Sequence, residues 1–225
     1  MTLRDNLSVI NSKILEACHL SGRNPKDVSL IAVSKNQCLE RIEEAFEEGI
    51  RNFGENRVQE ALPKMEVLPH EIKWHFIGRI QTNKISKIVG RFALIHSVEN
   101  LDLAEKISEV SLKQNVVSPI LLEVNTSEEE AKGGLSAEEW RLHFPKLLKL
   151  KGLEVKGLMT LAPLTEEDAM IRLCFSKLRN LNEELSQKYD LVLPILSMGM
   201  SNDFQIAIEE GATHIRIGSA LFSTS

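Results

Sequence analysis

Val28-Ser29-Leu30-Ile31-Ala32-Val33-Ser34-Lys35 decides how this chain folds. Five of its first six residues are apolar and two of those are valine. A continuous apolar run of this length, rich in β-branched residues, reads as a strand buried on both faces. The run ends at a lysine, and an unpaired ammonium is costly to bury. Lys35 therefore stands where a core strand emerges, the place where open α/β sheets and barrels put their chemistry. The competing reading is a lysine that merely marks the exit of the strand into solvent.

Working outward, the same alternation repeats. Upstream, Leu3, Leu7, Ile10, Ile14 and Cys18 recur at spacings of three and four, one apolar helix stripe ended by Gly22 and Pro25. Downstream, helices are expected over 39–48, 55–65, 82–89, 100–114, 136–150, about 165–185 and 202–210. Strands are expected over 50–54, 73–78, 92–98, 119–125, 153–159, 192–198 and 213–218. Ser136 and Glu139 have capping-box spacing at one of these helix starts.

Eight strands alternating with helices predict a parallel α/β protein. The count of eight favours a closed TIM-type (β/α)8 barrel, with an extra N-terminal helix, over an open doubly wound sheet. No Gly-x-Gly-x-x-Gly follows the first strand, so the dinucleotide-binding version of the open sheet lacks its main signal. Only residues 219–225 follow the last strand, too few for a full eighth outer helix, so the N-terminal helix is expected to help cover that part of the barrel. No linker, low-complexity tract or internal repeat breaks the chain, and one domain over 1–225 is expected.

Composition narrows the function classes. The 225 residues are 43% hydrophobic and 26% charged, with a formal net charge of -5. These values suit a soluble globular protein. No strongly basic cluster is present, which argues against nucleic acid as a partner. No apolar run approaches the length of a membrane span, and the first residues lack the apolar core of a signal peptide, so a cytoplasmic protein is expected. Three cysteines without metal-like spacing fit reduced thiols. Cys18 and Cys174 fall on apolar helix faces and read as packing residues, while Cys38 has no evident role. The six histidines show no paired metal-ligand spacing. His75 and His96 could line a site or be satisfied core residues. The acidic run Glu128-Glu129-Glu130 reads as a solvated loop.

If the active site lies at the C-terminal ends of barrel strands, the facing residues can be read off. They are Lys35, then Glu55 and Asn56, His75 or Gly78, His96 and Ser97, Asn125, Met159 and Thr160, Ser197-Met198-Gly199-Met200-Ser201, and Arg216-Ile217-Gly218-Ser219. Loops after strands seven and eight often form a phosphate site. Here both carry glycine and serine, which supply close backbone approach and hydroxyl donors, and the first is expected to open directly onto a helix. Singly, these are also the residues of ordinary tight turns. A Schiff-base-forming lysine across from a phosphate cradle suits a ligand with an aldehyde and a phosphate, such as pyridoxal 5′-phosphate (PLP), or a sugar phosphate in a Schiff-base aldolase. Arg216 is a permanent donor that could hydrogen-bond a pyridine nitrogen, or could simply be ion-paired to a neighbouring strand.

At these residues the sequence resembles the pyridoxal phosphate homeostasis proteins of the YggS/PROSC type. The matching segments are Ala32 to Lys35, Phe53-Gly54-Glu55-Asn56-Arg57-Val58-Gln59-Glu60, and Trp74-His75-Phe76-Ile77-Gly78-Arg79-Ile80-Gln81-Thr82-Asn83-Lys84. They continue with Gly157-Leu158-Met159-Thr160, Leu196 to Asp203, and Arg216 to Ser219. The six segments lie in register over nearly the whole chain. The resemblance implies a single barrel like the alanine racemase N-terminal domain, with PLP held as an aldimine on Lys35. It further implies a phosphate held near Ser201, Gly218 and Ser219, Arg216 by the ring, and Asn56 lining the pocket. Members carry PLP and influence its cellular balance, with apo-enzymes that need PLP as implied partners and no established reaction. The resemblance leads to an expectation of Phe-Gly and several further residues where this sequence reads Phe222-Ser223-Thr224-Ser225, a departure that bears on the packing of the last turn. A self-contained barrel can be a monomer.

The alternative is a PLP-dependent racemase of the alanine racemase type. Racemisation needs acid–base groups on both faces of the cofactor. Alanine racemases supply the second with a tyrosine from a β-rich domain, which is not expected within these 225 residues. The one tyrosine, Tyr189, precedes strand seven and is expected at the opposite end of the barrel. A Schiff-base aldolase ranks third, because it explains neither Arg216 nor the full motif set.

Overall fold

A computed structural model of the protein describes residues 2–127, 129 and 132–223. Eight strands pair in parallel and in chain order, and the last closes onto the first. They are β1 (Ser29–Val33), β2 (Asn52–Glu55), β3 (Lys73–Phe76), β4 (Leu94–Val98), β5 (Ser118–Glu123), β6 (Leu153–Met159), β7 (Ile195–Ser197) and β8 (His214–Ile217). Outside them run α1 (Leu3–Ser21), α2 (Leu39–Glu47), α3 (Val58–Val67), α4 (Ile85–Ile88), α5 (Leu101–Lys113), α6 (Ala137–Leu147), α7 (Asp168–Tyr189), α8 (Phe204–Glu209) and α9 (Ser219–Phe222). The closed (β/α)8 barrel with an added N-terminal helix is thus the architecture expected from the eight-fold alternation.

α1 begins with a reciprocal capping box between Thr2 and Asp5 and ends at Gly22 in the left-handed region. Its stripe, including Leu3, Ile10, Ala17 and Cys18, is buried. It takes the place of the missing eighth outer helix, which is reduced to the four residues of α9. Asn6 Nδ2 donates to the carbonyls of Leu221 at 3.0 Å and Ser223 at 2.9 Å. Beyond the helix, Arg23 donates to the carbonyls of Ile208 and Ala212, tying it to α8 and the turn that follows. Cys174 is buried as its helix face predicts, whereas Cys38 is exposed.

The barrel interior is divided. Leu94, Leu121 and Met159 form a small apolar cluster with Ile195 against it, separate from the large core between strands and helices. On the other side the fill is polar: His75, His96, Ser197 and Arg216 are buried and joined by hydrogen bonds. This is an exception to the branched apolar layers that usually fill such barrels.

Several boundaries differ from the sequence expectation. Glu55 belongs to β2, not to the following helix, because its carboxylate is bound in the core and α3 starts only at Val58. Strand five ends at Glu123, and Asn125 lies beyond it in a loop, where its amide donates to the Glu129 carbonyl. α8 starts at Phe204 rather than 202, since residues 201–203 form a turn in which Asp203 Oδ1 accepts the Met200 N–H. Of the acidic run, Glu129 is exposed and paired with Lys132, while Glu128 and Glu130 lie outside the described residues. Among the described residues no helix is long and apolar enough to cross a membrane.

Candidate functional site at the barrel mouth

Lys35 lies two residues beyond β1, exposed, at the start of a turn in which Asn36 takes a left-handed conformation at φ 61°. The turn is anchored beneath the lysine. Ser34 is fully buried, and its hydroxyl donates to Glu55 Oε1 at 2.6 Å. The same oxygen accepts from Lys64 Nζ at 2.7 Å, and Lys64 also donates to the Ser34 carbonyl at 2.9 Å. A buried ion pair from β2 and α3 thus fixes the residue next to Lys35.

Lys35 lines a cavity of about 390 Å3 together with Ser201, Arg216, Gly218 and Ser219. The loops after β7 and β8 converge there, with the hydroxyls of Ser219 and Ser201 3.3 Å apart. Gly199 makes the first loop possible. Its φ is +94°, and a Cβ there would come within 2.6 Å of Ala207 Cβ. Met200, Asn202 and Asp203 complete that wall. Burial raises the Asp203 carboxyl above its ordinary range.

Arg216 is buried between this cavity and a second of about 450 Å3 lined by Asn56, His96, Glu99, Glu123 and Lys132. Its Nη1 donates to Ser197 Oγ at 2.5 Å and its Nη2 to the Thr160 carbonyl at 2.9 Å. No carboxylate among the described residues lies within ion-pair distance, so the simple ion-pair reading of Arg216 does not apply. Burial brings its pKa down to about 10, which leaves it charged at neutral pH.

Four of the five other residues expected at the site therefore share one cavity with Lys35. Asn56 does not. It lines the second cavity and its neighbour, with Oδ1 buried and without a hydrogen-bond partner among the described residues. Gly78 lets the loops after β2 and β3 meet there, since a Cβ would fall 2.1 Å from the Asn56 carbonyl oxygen. Glu123 was not expected. It fills the mouth position of β5, and burial, with Glu99 adding to it, raises its carboxyl to about 7. The signal available was parity, because Leu121 and Glu123 face the same way two residues apart.

A family model described as alanine racemase, N-terminal domain, matches residues 7–225. A pyridoxal phosphate homeostasis protein of Aquifex aeolicus is 44% identical over 223 residues, covering 99% of this chain and 98% of the relative. One of Pseudomonas aeruginosa is 40% identical over 222 residues, covering 98% and 95%. The chain belongs to the pyridoxal phosphate homeostasis protein family. Among solved structures, PipY of Synechococcus elongatus PCC7942 with PLP bound is 38% identical, with a TM-score of 0.82, covering 93% of this chain and all of that one. An alanine racemase of Clostridium difficile 630 superposes at a TM-score of 0.80 with 14% identity, which supports the shared fold alone. This chain covers 56% of that racemase, so the family's barrel corresponds to part of a longer protein there.

Proposed function

We propose that this protein binds PLP at the barrel mouth, held covalently as the aldimine of Lys35, and acts as a PLP carrier in cellular PLP homeostasis. The carrying observation is that an accessible amine after β1 and a serine–glycine cradle after the neighbouring β7 and β8 open into one cavity that Arg216 also lines. The cavity volume falls within the range for small-molecule sites, and the donor set suits an aldehyde at one end and a phosphate at the other. When bound, PLP supplies the aldehyde and an electron-poor ring. Lys35 supplies the amine, Ser201, Gly218 and Ser219 receive the phosphate, and Arg216 offers an N–H to the ring nitrogen. Asn56 stands at the margin, in the adjoining cavity. Homeostasis naming of the relatives and the PLP-bound neighbour support this reading.

We place no catalytic turnover on this site. Tyr189 ends α7, before β7, and packs against Phe144 with ring centroids 5.1 Å apart, at the barrel end opposite Lys35. The reading takes the chain as one domain, a cytoplasmic monomer whose recipients are apo-enzymes that need PLP. Borohydride reduction of the PLP-loaded protein followed by peptide mass mapping tests it. The reduced cofactor mass is expected on Lys35, and a label on any other lysine overturns the assignment.

A further inference from the structure

A polar file crosses the barrel interior from mouth to floor. Arg216 Nη1 donates to Ser197 Oγ at 2.5 Å, and Ser197 Oγ lies 2.9 Å from His96 Nδ1. His96 Nε2 is 3.0 Å from His75 Nδ1, and His75 Nε2 is 3.2 Å from Asn52 Oδ1. Four of these five residues are buried, Asn52 partly so. The side chains come from β2, β3, β4, β7 and β8, so the file stitches together strands that are far apart in sequence.

Its direction is determined at both ends. The amide oxygen of Asn52 only accepts, so the His75 proton sits on Nε2. A neutral imidazole carries one N–H, so His75 Nδ1 accepts and His96 Nε2 donates. His96 Nδ1 then accepts, from the Ser197 hydroxyl, whose lone pair is left for the one member that can only donate, Arg216. Neutral rings fit the setting. Burial holds His75 down at about 3 and His96 well below the ordinary histidine range, and Arg216 adds to the second effect.

We infer that Asn52, His75, His96 and Ser197 are positioning residues that hold the Arg216 guanidinium in one orientation through a hydrogen-bond file of fixed direction. On the other side, Thr160 is held as firmly. Its hydroxyl donates to the Val124 carbonyl at 2.8 Å, and its own carbonyl accepts from Arg216. Two of the five guanidinium N–H donors are thus spent on the barrel, and three remain among the described residues for the cavities it borders. A buried polar network is costly unless its buried polar atoms are satisfied, and none of the fully buried side-chain N or O atoms of these five residues lacks a partner among the described residues. The consequence for PLP rests on the proposed binding reading, since the file then sets the donor offered to the ring nitrogen.

Histidine-selective nitrogen-15 NMR of the purified protein at neutral pH tests the direction without any cofactor. Both rings are expected as neutral Nε2–H tautomers; an Nδ1–H tautomer or an imidazolium at either ring overturns the inference. His96→Phe keeps a ring but removes the acceptor, and Ser197→Ala is a smaller second variant. The wild type is expected to show separate guanidinium signals for Arg216; in both variants these should merge, and PLP affinity should fall about tenfold, the worth of one buried charged hydrogen bond. The double variant should lose little more than either single one, as members of one file do. Lowered thermal stability with unchanged guanidinium signals and affinity, or losses that multiply, makes the file merely structural and overturns the inference. If the wild type takes up no PLP, the binding reading falls, and the tautomers and guanidinium signals still decide the file.

Discussion

Lys64 reaches from α3 into the barrel wall and places its ammonium 2.7 Å from Glu55 Oε1, a carboxylate with no solvent exposure. The second oxygen, Oε2, has no partner among the described residues. Nothing else on α3 compensates that charge, so the pair matters more than an exposed one would. Lys64→Met is expected to cost about 3–5 kcal/mol, the usual penalty for stranding one half of a buried pair. Denaturant unfolding measures it. The double variant Lys64→Met with Glu55→Leu should regain most of that loss, and a single variant within 0.5 kcal/mol of the wild type would show that the pair does not anchor the Lys35 turn.

The role of α1 as a replacement for the eighth outer helix rests on Asn6. Its amide bridges two carbonyls, one in α9 and one just after it, at a buried position. Asn6→Ala leaves both carbonyls without that donor. A loss of about 1–3 kcal/mol follows from the desolvation of such groups. Faster hydrogen exchange should appear in 219–223, with the β1–β6 amides unchanged. Uniform acceleration would instead make α1 a general stabiliser, not a patch over the last turn.

Much of this was legible in the sequence because periodicity reports burial directly. The run at 28–33 and the stripe of α1 gave the barrel and its extra helix, and glycine and serine after β7 and β8 pointed to their convergence with Lys35. The interior file was not legible. His75, His96 and Ser197 lie on three separate strands, and only the folded barrel sets His96 between the other two, 3.0 Å from His75 and 2.9 Å from Ser197. Glu55 was misplaced for a related reason. A glutamate two residues past an apolar strand position looks like a helix start, and its partner Lys64 sits nine residues away, on a helix whose inward reach only packing reveals.

The phosphate cradle makes a graded prediction. Ser201 Oγ, in the turn after β7, and Ser219 Oγ, at the start of α9, lie 3.3 Å apart and line one cavity. If both donate to a phosphate, each serine-to-alanine change removes one hydrogen bond to a charged group. That is worth about 1.5–3 kcal/mol, roughly a ten- to hundredfold rise in the PLP dissociation constant. Lys35→Ala should abolish the imine absorbance yet retain weak PLP uptake through the cradle. Equal PLP affinity in the wild type and the Ser201→Ala with Ser219→Ala double variant would remove the cradle from the site.

Glu123 gives the fold a pH dependence of definite sign. Its carboxyl titrates near 7 in the folded chain, raised first by burial and then by Glu99, against 4.5 for the ordinary side chain. Between those two values the unfolded chain has released the proton and the folded chain still holds it. Folding therefore binds protons in that window, and this group's contribution to stability falls as pH rises from about 4.5 to about 7. Glu123→Gln removes the effect. The buried histidines pull the opposite way, since His75 and His214 are depressed to about 3 and about 4 and so cost stability as pH drops below about 6.5. They act equally in both proteins and cancel in the difference. Urea unfolding at pH 5 and pH 8 should show the glutamine variant gaining on the wild type by roughly 2 kcal/mol at the higher pH. A constant difference across that range would mean that Glu123 is ionised in the folded chain throughout, solvated through the cavity it shares with Arg216.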